Sequence, residues 1–145
     1  MKTVSLIGRT IFGGYFLYNG INHLVKRKEL AQYAESKHVS NPDAAVVLSG
    51  LALLFGGTSI ILGKKPKLGA AAVAGFLAAV SPVMHNFWNS GTAEQKMSEF
   101  VNFTKNMALL GATLGMLDEK KPWAHRLASS SPTRLIKDTK TALVG

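Results

Sequence analysis

The chain has 145 residues, 47% of them hydrophobic and only 17% charged, with 14 glycines and a net charge of +9; this length admits one domain, and the charged share falls below the roughly 25% of ordinary soluble domains, which turns the reading toward lipid. The absence of cysteine excludes disulfides, thiolate metal sites and iron–sulfur ligation. The basic residues cluster beside apolar runs instead of lining one soluble face, so anionic lipid headgroups, and not nucleic acid, are their expected partner.

Taken in chain order, the first apolar run covers residues 4–25 and carries Arg9. Arg9 interrupts the run and no A-x-A-like cleavage site follows, so it reads as a retained span and not as a signal peptide. Arg9 lies close enough to the span end for its long side chain to reach cytoplasmic headgroups. A stretch at 28–37 puts Leu30, Tyr33 and Ala34 on one stripe, which predicts a short helix on the membrane surface. Residues 44–63 then run for 20 positions without a charge, enough for a helix to cross ~30 Å of hydrocarbon. Lys64, Lys65, Pro66 and Lys67 make a tight antiparallel hairpin into a third span at 68–88, which ends near the interfacial Trp88. A fourth span is expected at 98–117, with Lys105 near its start. The predicted architecture is an all-α integral membrane four-helix bundle over residues 1–117. A basic cytoplasmic tail follows at 118–145, expected to be mobile or weakly adsorbed to headgroups.

The N-terminus, the second loop and the tail carry more Lys and Arg than the opposite face. The positive-inside rule therefore predicts a multi-pass protein of the cell inner (plasma) membrane with both termini in the cytoplasm. Small residues recur through the spans, and in lipid such residues let backbones approach closely. Gly111 and Gly115, four apart, are expected to serve contacts inside the bundle, with contacts between chains as the alternative.

Span direction sorts the polar residues by depth. Asn19, Asn22 and His23 on the first span share an outer level with His85 and Asn86 on the third, and Asn102, Lys105 and Asn106 lie in the first turns of the fourth. Asn19 and His23 are four apart, as are Asn102 and Asn106, so each pair shares a helix face. Pro82 frees the carbonyl of Ala78 and opens space before His85. Polar groups in membrane helices are costly and mark function; the same residues placed at span ends also simply meet interfacial water. The candidate ligand-binding residues are His23, His85, Asn102, Lys105 and Asn106. No metal site is expected, since no carboxylate accompanies the histidines within the spans, and no acid at a useful depth completes a nucleophilic triad, so no catalytic residue is assigned.

The order of GRTIFGGYFLYNGINHL, YAESKHVSNPDAAVVLSGLALLFGGTSIILG, HNFW and FVNFTKNMALLGATLG resembles the DoxX family of small bacterial and archaeal membrane proteins. The resemblance covers residues 4 to 117 and rests on an early Arg, Gly-x-x-His ending the first span, a Gly-Gly pair in the second, His-x-Phe-Trp after the third and Lys-Asn before a glycine-containing run. It implies a four-helix membrane protein from a family named for a subunit of thiosulfate:quinone oxidoreductase. A quinone is then the implied cofactor, the five polar residues its hydrogen-bond partners, and other oxidoreductase subunits the implied protein partners. Family membership alone does not fix activity. A small transporter or permeability factor, and a scaffold recruiting soluble partners, are the other classes the sequence leaves open.

Overall fold

The computed structural model describes residues 2–118, so the tail beyond Asp118 lies outside the described residues. Within them the chain forms α1 (Lys2–Val25), α2 (Arg27–Ser36), α3 (Pro42–Leu62), α4 (Pro66–Met84), a single 3-10 turn (Phe87–Asn89) and α5 (Ala93–Leu117). No strand occurs among the described residues. The boundaries follow from local chemistry. Asn41 takes a left-handed conformation (φ 54°) and Pro42 opens α3, where its missing N–H costs nothing. Gly63 (φ 66°) closes that helix, and Lys65 and Pro66 repeat the Asn41–Pro42 arrangement to start α4. The turn between the two helices is therefore as short as the sequence predicts. Thr92 and Gln95 form a reciprocal capping box that starts α5 at Ala93, earlier than the 98 expected from apolarity alone.

The third element departs from expectation at its end. Instead of running to residue 88, α4 stops at Met84, and His85 leaves the helix with φ −118° and ψ 48°. Pro82 lacks a donor for the carbonyl of Ala78, Ser81 Oγ turns back to donate to the Leu77 carbonyl at 2.5 Å, and the chain then tightens into the 3-10 turn. His85 thereby gains a backbone direction that a continuing helix would deny it.

Packing follows the order α1–α3–α4–α5, with α2 laid across α3, while α1 and α5 make no extensive contact with each other. The core consists of Phe16, Leu53, Ile60, Val73 and Leu77, with Leu109, Leu110 and Met116 of α5 packed against it. At the glycines, α3 meets α1 and α4 with backbone close to backbone. A Cβ placed on Gly57 would lie 2.6 Å from the Gly13 carbonyl oxygen, and one on Gly56 2.9 Å from the Gly69 carbonyl oxygen. The glycines read as packing residues in the second span thus fill that role. Gly111 and Gly115 do not: a Cβ at either meets nothing within 4 Å. The expectation of contacts inside the bundle is corrected for them, because α5 meets α4 through side chains on its other face.

Arg9 also departs from expectation. It is 6% exposed, so it does not reach out to headgroups. It shares the interior face of α1 with Gly13, Phe16 and Gly20, all buried, at the spacing that stacks residues on one side of a helix.

Two elements, Pro42–Leu62 and the stretch Pro66–Asn89, are long and apolar enough to cross a bilayer by length and composition. Among the described residues α1 and α5 have the length but not that apolarity.

Candidate functional site

A cavity of about 460 Å³ opens between α1, α3, α4 and α5 beneath α2. Its size is that of a small-molecule pocket. All five residues singled out from the sequence, His23, His85, Asn102, Lys105 and Asn106, line it, together with Asn19. Asn22 and Asn86, assigned to the same level, do not, and neither does the interfacial Trp88. The remaining wall is mostly apolar, with Phe16, Phe76, Leu77, Val80 and Val83, and adds Tyr15, Tyr33 and Ser49.

Each polar group is placed by an identifiable contact. A Cβ on Gly20 would sit 2.9 Å from the Gly50 carbonyl oxygen, and one on Gly50 would sit 3.0 Å from the His23 Cβ. Two missing side chains thus let the end of α1 lie against α3, and this close approach puts His23 Nδ1 2.9 Å from Ser49 Oγ. The His23 ring also meets Phe76 edge to face at 5.8 Å. On α5 the Lys105 ammonium donates to Asn102 Oδ1 at 3.1 Å, and Asn106 is buried.

The other histidine belongs to a charged cluster. His85 Nδ1 lies 2.8 Å from Glu99 Oε2, and the Lys37 ammonium donates to Glu99 Oε1 at 3.0 Å. All three side chains are four-fifths or more shielded from solvent. Tyr33 Oη adds a longer contact to Oε1 at 3.5 Å. Burial works against the Lys37 charge, but Glu99 and Tyr33 outweigh it and hold the Lys37 pKa above its usual value. The cluster corrects the expectation that no acid lies at a useful depth. Its helix spacing carried a usable signal, since Glu99, Asn102 and Asn106 fall on one face of α5 at intervals of three and four.

Lys37 and Tyr33 had no such signal, because their place depends on where α2 goes. Leu30, Tyr33 and Ala34, the stripe predicted for the short helix, line the cavity from above, and Ala34 is buried. At the opposite end of α2, Arg27 pairs through two hydrogen bonds with Asp43 at the start of α3. Both side chains of that pair are about half exposed (52% and 48%), so it orients α2 more than it stabilises it.

The cavity is mainly apolar, and a cation, amides and two imidazoles lie on its wall, contributed by α1, by α5 and by the residue that follows α4. No curated protein and no solved structure matches the chain. The family model for DoxX matches residues 4–86, more than half of the chain. The match takes in α1 from Val4 onward, all of α2, α3 and α4, and His85, so the chain belongs to the DoxX family, and it is a membrane protein of that family.

Proposed function

We propose that all four long helices cross the bilayer, with both termini in the cytoplasm, and that the cavity holds the ring headgroup of the membrane quinone pool. On this reading the chain is an accessory subunit of a membrane oxidoreductase system and lacks redox groups of its own. The cavity is the observation that supports the reading. Its apolar walls suit an aromatic or quinonoid ring, and its polar groups come from separate helices to a space that only the folded bundle creates. The polar faces of α1 and α5 are then satisfied inward, which offsets the apolarity these two helices lack.

Lys105 is the charged donor for a ring oxygen. Lys105→Ala is expected to weaken binding of a short-chain quinone analogue by about 10-fold or more, the loss of one charge-assisted hydrogen bond. Calorimetry on the detergent-solubilised protein measures this, and unchanged affinity removes Lys105 from the site.

The topology has its own test. Reporter fusions after Lys67 are expected to read cytoplasmic and fusions after Lys37 or Glu94 external, following the distribution of basic residues. A cytoplasmic signal at Lys37 reverses the orientation.

A further inference from the structure

For each cavity imidazole in its neutral form, hydrogen-bond accounting favours one nitrogen as the carrier of the proton. Ser49 has one hydroxyl hydrogen, and its Oγ donates it to the Val46 carbonyl at 2.9 Å, a group that only accepts. With that hydrogen committed, Ser49 Oγ accepts from His23, so the protonated nitrogen of His23 is Nδ1. At His85 the partner of Nδ1 is a carboxylate oxygen, which also only accepts, so Nδ1 again carries the hydrogen. The Lys37 ammonium on the other oxygen favours the ionised form of Glu99. Each ring, when neutral, is left with a lone pair on Nε2; besides its Ser49 contact the His23 side chain also bonds the Val46 backbone, a carbonyl that takes its hydrogen only from the nitrogen that carries one, and the His85 side chain pairs with Glu99.

We propose that the cavity takes its ligand as a hydroxylated ring, a phenol or quinol, because His23 and His85 both present acceptor nitrogens, and that Glu99, pinned by Lys37, is the positioning residue that keeps His85 an acceptor. This rests on the reading of the cavity as a quinone-pool headgroup site and adds which redox form it prefers. A carbonyl oxygen accepts from Lys105 and from the Asn amides, but it has no hydrogen to give and leaves both imidazole acceptors unmatched. A hydroxyl accepts from an ammonium and donates to an imidazole, so it matches both kinds of group.

The role of Glu99 has a specific signature. In Glu99→Gln the Lys37 ammonium, which can only donate, selects the amide oxygen, and this turns the amide nitrogen toward His85. Nδ1 must then accept, and the ring proton moves to Nε2. The change is nearly isosteric, yet it converts His85 from acceptor to donor.

The test titrates the full chain in detergent, at a pH of about 8.5 where free imidazole is neutral, with three probes of one shape: a para-alkyl phenol, its methyl ether and the matching alkyl para-benzoquinone. The phenol is expected to bind about 10-fold more tightly than either of the others, the value of one hydrogen bond and the cost of facing two acceptors together. Glu99→Gln is expected to abolish or reverse that preference, and NMR of isotope-labelled histidine to show the His85 proton moved from Nδ1 to Nε2. If Glu99→Gln does not fold, His85→Ala serves in its place and should lower phenol affinity toward that of the ether. Equal binding of phenol and ether by the unaltered chain, or an unmoved ring proton in Glu99→Gln, overturns the proposal. Tighter binding of the quinone overturns it while leaving the pool-headgroup reading standing; no binding of any probe overturns both.

Discussion

Gly57→Val is expected to prevent the bundle from assembling. A Cβ at this position would lie 2.6 Å from the Gly13 carbonyl oxygen and 2.7 Å from the Leu17 amide nitrogen, both backbone atoms that no rotamer change moves aside. Replacing a mid-helix glycine gains less than about 1 kcal/mol of helix propensity. Overpacking costs about 1–3 kcal/mol where side chains can give way, and here they cannot. A net loss of about 3 kcal/mol or more is a large part of the 5–15 kcal/mol that holds an ordinary domain together. The thermal transition in detergent should fall sharply or vanish, with aggregation on size exclusion. Gly14→Ala is the control, because a Cβ there meets nothing within 4 Å; it should leave the transition unchanged or raise it slightly. A Gly57→Val protein that melts with the parent would show that α1 and α3 are not held at backbone contact.

Glu99→Ala is expected to release α2 from the bundle. The substitution removes the shared acceptor of Lys37 and His85, two side chains only about 20% exposed. Hydrogen bonds to a charged group contribute roughly 1.5–3 kcal/mol, and the loss leaves Lys37 without its carboxylate partner. The Arg27–Asp43 pair at the other end of α2 stays, but it is half exposed and worth little. Amide exchange in Arg27–Ser36 should therefore quicken by about 10-fold or more, while α3 and α4, held by their glycine seam, stay protected. Uniform loss of protection across all helices would instead place Glu99 in the folding core.

The helices were legible in the sequence because their signals are local. Pro42 and Pro66 open helices and Gly63 closes one whatever surrounds them, and the charge-free runs carry their own length. The meeting of His23, His85, Asn102, Lys105 and Asn106 around one cavity was also within reach, since antiparallel helices of similar length fix the depth of every residue. Other features depended on partners distant in the chain. Glu99 looks like an ordinary first-turn acid until Lys37, 62 residues earlier, is brought to it by α2. Gly111 and Gly115 repeat the spacing of packing glycines, but spacing cannot say which side of a helix faces its neighbour. Arg9 was misjudged for the converse reason: a cation near a span end invites solvent, while the face it shares with Gly13 and Phe16 points inward.

The glycine seams divide the bundle mechanically. Where α3 touches α1 and α4 through Gly13, Gly20, Gly50, Gly56, Gly57 and Gly69, backbone atoms are among the nearest neighbours and leave little room to re-pack, so the three helices form a stiff half. Against them α5 is held by Leu109, Leu110 and Met116, long side chains with several rotamers each. The compliance of the molecule lies at that second seam and under α2. The Asn19 and His23 wall thus serves as a fixed reference, against which the Asn102, Lys105 and Asn106 wall sets the width of the slot.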